Sequence, residues 1–304
     1  MADLCLGTVQ FGMKYGVNNT LGQPTHEQSF EMLNTAISKG VKVIDTARAY
    51  GEAELILGEY FTKIDSSAFD KVKIISKLRP NCVDEGNNAR SVVFKECEST
   101  LERMHIDRLN GYLLHTPEYI YREDILNALS DLKSQGYVEN IGVSIYGIKE
   151  GDAAIKTGIV DYIQLPFSVL DQRGSKSGFI SRAKDSGITV FTRSAFLQGL
   201  FMMDKSRIPE HLHKAFPYLD TFNEIIEKYS VDKVQALLSF VKEETGIDFL
   251  VWGVDTKEQL EEDIEKFRNG VVPKEMISEL KERIGHVDEG IIFPSLWSNG
   301  KKAE

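Results

Sequence analysis

The sequence predicts an α/β fold, a single (β/α)8 barrel of the TIM-barrel kind, on three observations. Five times a helical pattern ends in glycine and a β-branched run follows almost at once: Gly40 before VKVID, Gly136 before YVENIGVS, Gly158 before IVDYIQL, Gly187 before ITVFT and Gly246 before IDFLVW. Glycine supplies the left-handed backbone that ends a helix, and a Val/Ile-rich run is strand material. Three further runs, LCLGTV (4–9), KVKIIS (71–76) and LNGYLL (109–114), bring the candidate strands to eight. The third observation is length. The chain has 304 residues and no Pro/Gly/Ser-rich linker, which suits one barrel of ~250 residues with insertions. Strands alternating with helices imply a parallel sheet with right-handed crossovers.

The elements follow in order. LCLGTV is the first strand, and Thr25-His-Glu-Gln28 has the form of a capping box that opens a helix carrying Phe30, Leu33 and Ile37 at helical spacing. VKVID is the second strand, followed by TARAYGEAE and a helix starting near Glu52. After KVKIIS, the residues Val93, Cys97, Leu101 and Met104 mark the next helix. After LNGYLL, the helix signal is Ile125, Leu129 and Leu132, and strands five to eight then follow the glycines at 136, 158, 187 and 246. The longest irregular stretches, about 193–216 and 268–304, are expected to be a loop at the barrel mouth and a C-terminal tail.

Composition narrows the function. Hydrophobic residues make up 42% of the chain and charged residues 27%, enough apolar material for a real core. Thirty-six Lys+Arg against 46 Asp+Glu leave a formal charge of −10, so the basic surplus of a nucleic-acid or anionic-membrane binder is absent. Cys5, Cys82 and Cys97 are too few and too scattered for a disulfide framework, and MADLCLGTVQFG lacks the pattern of a signal peptide. The expected location is therefore the cytoplasm. Cys5 reads as a small buried hydrophobe. His211 and His213 have no third ligand nearby in sequence, so no metal is expected.

In a barrel of this kind, polar residues at the C-terminal ends of strands point into the mouth where chemistry is done. The strand ends supply Asp45, Lys77, His115, Ser144 and Gln164, and Tyr50 follows closely after Asp45. Asp45, Lys77, His115 and Tyr50 are expected to converge. A buried Lys paired with a carboxylate and set beside a phenol would lower the Tyr pKa from ~10 toward the range of a general acid. A neutral His115 could orient a carbonyl oxygen. Together these groups suit protonation of that oxygen as hydride reaches the carbon.

The segments LGTVQFG (6–12), GVKVIDTARAYGEAELILGEYF (40–61), IISKLRP (74–80), RLNGYLLHTPE (108–118), GYVENIGVSIY (136–146), DYIQLPFSVLDQR (161–173) and FLQGL (196–200) resemble, in order, the aldo-keto reductase superfamily. The D-T-A-x-x-Y-G-x-x-E pattern, then Lys, then L-L-H is specific at these separations. The resemblance implies a barrel that reduces aldehydes or ketones with NADP(H) or NAD(H). It implies Tyr50 as proton donor, Lys77 and Asp45 as its tuning pair, and His115 as the residue that orients the carbonyl. It also places Ser144 and Gln164 at the nicotinamide carboxamide, and Thr8 and Asp45 near the ribose. Arg193 falls where an aromatic commonly stacks on the nicotinamide ring, which a guanidinium can also do.

Three departures from the family pattern bear on cofactor and stability. The usual Ser-Asn pair reads Ser144-Ile145, removing one carboxamide partner. After strand eight the chain reads WGVDTKEQLEED, placing Gly253, Gln259, Glu262 and Asp263 at the adenosine end, with Gln where an Arg is usual and Asp255 adding negative charge. Lys257 is the substitute cation, and NAD(H) competes with the family default of NADP(H). Strand one comes without the β-hairpin that closes the barrel bottom in many relatives, so Leu4 or Leu6 is expected to plug it. The substrate is expected to be a small-molecule carbonyl compound, and the resemblance of HTPE, Ile145 and FTRSAFLQGL to relatives of polysaccharide and deoxysugar pathways implies a keto-sugar or sugar nucleotide. Two other readings stand beside this one: a cofactor-binding regulatory subunit with little turnover, and a barrel aldolase using Lys77 as a Schiff-base nucleophile.

Overall fold

The computed structural model describes residues 2–65 and 71–297. Eight parallel strands close in sequence order into a barrel: β1 (Asp3–Gly7), β2 (Val43–Asp45), β3 (Lys73–Lys77), β4 (Gly111–Leu114), β5 (Ile141–Ser144), β6 (Tyr162–Pro166), β7 (Thr189–Arg193) and β8 (Phe249–Trp252). β8 pairs back onto β1 from Asp3 opposite Phe249 to Leu6 opposite Trp252. All five punctuating glycines take the left-handed backbone, with φ of +80° at Gly40, +83° at Gly136, +69° at Gly158, +77° at Gly187 and +96° at Gly246. The capping box at Thr25 forms in full and opens the helix His26–Ser38.

The period of two along each strand sorts side chains into two cores. Cys5, Val43, Ile75, Leu113, Phe191 and Val251 meet inside the barrel with Tyr162 and Phe249. Their neighbours in sequence, including Leu4, Leu6, Ile44, Ile74, Leu114 and Ile163, face outward into the layer shared with the helices. This corrects the expected plug: Leu4 and Leu6 have the wrong parity to fill the interior. An aromatic stack fills it instead, with Phe191 5.2 Å from Tyr162 and 4.8 Å from Phe249 between ring centroids. Cys5 lies fully buried in the same interior.

The two stretches expected to be irregular are partly ordered. Residues 197–215 wind into three short 3₁₀ turns, Leu197–Met202, Lys205–Arg207 and Glu210–Ala215. The tail contains the helix Lys274–Arg283, which starts after Pro273 and buries Met276, Ile277 and Leu280. Its many charges mask that apolar stripe in sequence. Residues 298–304 of the expected tail lie outside the described residues. Among the described residues, no helix is long and apolar enough to cross a membrane.

The interior stack yields a stability prediction. Phe191→Ala empties the centre of the barrel and should cost about 3–5 kcal/mol in urea unfolding; a loss below about 1 kcal/mol would show that Phe191 is not the interior keystone.

Candidate active site

Adding one step of the same parity to the interior layer leads to the mouth. Above Val43 comes Asp45, above Ile75 comes Lys77, above Leu113 comes His115, above Tyr162 comes Gln164 and above Phe191 comes Arg193. Ser144 pairs with Gln164 in the sheet register. The sheet therefore delivers the expected polar set to one end of the barrel.

Lys77 is the hub. Its ammonium donates to Asp45 Oδ1 at 2.6 Å, to the Thr46 carbonyl at 2.9 Å and to Tyr50 Oη at 3.2 Å. Three N–H donors thus meet three acceptors, so the charge is buried without an orphaned hydrogen. Neither Lys77 nor Asp45 is more than 1% exposed. Burial works against the Lys77 charge, but Asp45 and Tyr50 outweigh it and hold the ammonium above its ordinary pKa of 10.5. A lysine kept protonated has no lone pair for Schiff-base attack, so the geometry gives no support to an aldolase.

The carboxylate is fixed from its other side. Gln164 Nε2 donates to Asp45 Oδ2 at 2.8 Å, and Ser144 Oγ donates to Gln164 Oε1 at 3.4 Å. Thr8 contributes both its amide, at 3.0 Å, and its hydroxyl, at 3.1 Å, to the Asp45 carbonyl. Thr8, Asp45, Ser144, Gln164 and Lys77 therefore form one connected network.

The Tyr50 phenol departs from the sequence expectation. Burial pushes it above its ordinary 10.0, and the pull of Lys77 in the other direction does not restore it. The reason is that Asp45 already neutralises Lys77 and itself raises Tyr50. The phenol consequently keeps its proton at neutral pH, as a donor must. His115 meets Tyr50 edge to face, with centroids 5.9 Å apart and planes at 89°. Burial, then Lys77 and Arg193, push its pKa down to about 3, so the imidazole is neutral. Its Nδ1 has no hydrogen-bond partner among the described residues.

Sequence reasoning gave no role to Glu54, the last residue of D-T-A-x-x-Y-G-x-x-E. Its buried carboxylate accepts from Ser76 Oγ at 2.8 Å, Thr100 Oγ1 at 3.1 Å and Arg103 Nε at 3.0 Å. It thereby ties the helix Ala53–Phe61 to β3 immediately beside Lys77. Gly12 plays a matching steric part, since a Cβ there would stand 1.7 Å from the Tyr50 carbonyl oxygen. Two separate segments carried the signals, the glutamate that ends D-T-A-x-x-Y-G-x-x-E and the glycine that ends LGTVQFG.

The profile of the Aldo/keto reductase family matches residues 3–284. The chain belongs to the aldo/keto reductase family. It is 24% identical over 289 residues to the aldo-keto reductase YhdN of Bacillus subtilis strain 168, covering 86% of each chain. It is 22% identical over 265 residues to the NADH-specific methylglyoxal reductase of Escherichia coli K12, covering 74% of this chain and 78% of that one. The holo form of an aldo-keto reductase from Bacillus halodurans shares the fold with a TM-score of 0.74, at 17% identity and with 95% and 94% of the two chains covered.

In this aldo/keto reductase family chain, the groups expected at the adenosine end do not all face one place. Gly253 follows β8 bare of side chain, against the Gln10 amide. Gln259 turns back to accept from the Asp255 amide at 2.9 Å, and Asn19 binds the Asp255 carboxylate at 3.2 Å. Glu262 is exposed and pairs with Lys266 at 2.6 Å. Asp263 is buried instead, and burial, reinforced by Glu262, pushes its carboxyl up to about 7.

That shift predicts a pH-dependent stability. Between an unfolded pKa near 3.8 and the folded value of about 7, the folded chain binds more protons than the unfolded one, so stability falls as pH rises through this window. Asp263→Asn removes the effect. The melting temperature of the variant relative to the parent should therefore rise between pH 4 and pH 8; a constant difference would show that Asp263 titrates normally.

Proposed function

We propose that this chain is a carbonyl reductase that takes hydride from NADH or NADPH, delivers it to an aldehyde or ketone carbon and protonates the oxygen from Tyr50. The observation that carries this reading is the Lys77 ammonium bridging Asp45 Oδ1 at 2.6 Å and Tyr50 Oη at 3.2 Å at the end of the barrel. The catalytic residues are then Tyr50 and His115, with Lys77 and Asp45 fixing and tuning the phenol.

The residues fit a nicotinamide cofactor. Gln164 Oε1 keeps a lone pair for a carboxamide NH₂, and Ser144 Oγ, whose hydrogen goes to that same oxygen, can accept from the NH₂ through its own lone pairs. Gln10 Oε1 is buried without a partner among the described residues, beside the bare Gly253. On this reading Thr8 and Asp45 would line the ribose side, and the Arg193 guanidinium, stacked on Tyr146 at 4.3 Å, would be the flat group beside the nicotinamide ring. A nicotinamide bound there supplies the hydride.

The protein's own part is positioning and proton transfer. His115, neutral and set edge to face against Tyr50, donates a ring N–H to the carbonyl oxygen and holds it beside the phenol. As negative charge develops on that oxygen, Tyr50 gives up its proton and the nearby Lys77 charge stabilises the phenolate left behind. Tyr50→Phe should lower kcat for carbonyl reduction at least ~10²-fold while the dissociation constant for NADH or NADPH, read by fluorescence titration, changes little. Parent-level turnover in that variant would sink the assignment. A regulatory subunit without turnover would bind cofactor but leave it unoxidised with every carbonyl compound offered.

The adenosine end favours tolerance of the unphosphorylated cofactor. Gln259 stands where the family pattern has Arg, and Lys257, which opens the helix Lys257–Asn269, lies in sequence among Asp255, Glu258 and Glu262. Parallel titrations should give NADPH no more than about a tenfold advantage over NADH, some 1.4 kcal/mol. A hundredfold preference for NADPH would show that Lys257 or another cation takes the phosphate.

A further inference from the structure

We propose that Arg193 is an anion-recognition residue, and that the substrate carries a carboxylate or phosphate close to its reacting carbonyl. The proposal rests on the carbonyl-reductase reading and narrows its substrate to an anionic class.

Arg193 ends β7 and has the inward parity of Phe191 below it. Its Nη2 donates to the Ile145 carbonyl at 3.2 Å and its Nη1 reaches Ser194 Oγ at 3.4 Å. Of the five guanidinium N–H groups, three remain uncommitted among the described residues. No carboxylate lies within ion-pair distance of it among those residues, although Lys77 nearby is fully matched by Asp45.

The guanidinium is nevertheless held firmly. The Tyr146 ring lies 4.3 Å beneath it, Phe293 meets Tyr146 edge to face at 5.5 Å, and Arg173 caps Phe293 at 4.4 Å. Arg173 is in turn gripped by Asp171 through two 2.8 Å hydrogen bonds, and it donates to the Tyr146 carbonyl at 3.1 Å. Directly after Arg193, Ser194 sits at φ +70°, a strained conformation that sites retain where geometry matters. A rigid, partly buried guanidinium without a counter-charge is the arrangement in which the ligand brings the anion.

The charge also faces the chemistry, since Arg193 acts on both the His115 imidazole and the Tyr50 phenol. With His115 neutral and Lys77 paired, Arg193 is the uncompensated charge among the strand-end residues. In a chain of net charge −10 it draws an anion specifically to the mouth.

The test compares pyruvate, dihydroxyacetone phosphate and neutral 2,3-butanedione as substrates for the parent, Arg193→Gln and Arg193→Lys. Arg193→Gln should lower the ratio of kcat/KM for the preferred anionic substrate to that for butanedione by about tenfold or more, and Arg193→Lys should restore part of it. The pyruvate and phosphate arms tell carboxylate from phosphate recognition. An unchanged ratio in both variants overturns the proposal. Calorimetric binding of oxamate and of inorganic phosphate, against neutral acetamide, needs no turnover. Anion binding lost in Arg193→Gln supports the site even where no carbonyl is reduced, in which case the reductase reading alone fails. Equal binding of anions and acetamide by the parent overturns the proposal.

Discussion

The buried contact between Lys77 and Asp45 is the constraint around which the rest of the mouth is arranged. Removing both charges from water is costly, and the pair is sustained because every remaining donor and acceptor finds a partner. Thr46 and Tyr50 take the other two ammonium hydrogens, and Gln164 takes the second carboxylate oxygen. Loss of one member would leave an uncompensated buried charge, so the network is cooperative. The hydrogen bond to Tyr50 is the branch of this network that reaches the open side of the site.

Around that network the fold supplies rigidity from outside the barrel. Glu54 ties a helix to the strand that carries Lys77, and Gly12 lets the chain after β1 pass against Tyr50. Below, the Tyr162, Phe191 and Phe249 rings fill the interior that would otherwise admit water beneath the ion pair. The arrangement of the mouth thus depends on residues set behind it, at Glu54, Gly12 and the interior rings. The cation ladder from Asp171 to Arg193 performs the same service for the opposite wall.

Much of this was legible in the sequence, for physical reasons that differ from residue to residue. Gly40, Gly136, Gly158, Gly187 and Gly246 were readable because only glycine adopts that backbone cheaply. Asp45, Lys77, His115 and Gln164 were readable because strand ends of a barrel converge whatever their separation along the chain. The plug was misassigned to Leu4 and Leu6 because parity depends on register, which a single strand does not reveal. The direction of the Tyr50 shift was missed because it is a balance between burial and two opposed neighbours. Asp263 was placed with the cofactor groups, although helical phase turns it inward. Arg193 was visible as an oddity, but its lack of a carboxylate partner is a three-dimensional fact.

Lys77 stays charged because Asp45 faces it, and this charge sits against Tyr50. The most direct measurement is ¹⁵N NMR of the Lys77 Nζ across an alkaline titration, in the parent and in Asp45→Asn. The parent ammonium should persist above its ordinary 10.5, and the Asp45→Asn variant should lose its proton at lower pH. A parent Lys77 that deprotonates below its ordinary value, unaffected by the Asp45 substitution, would contradict this.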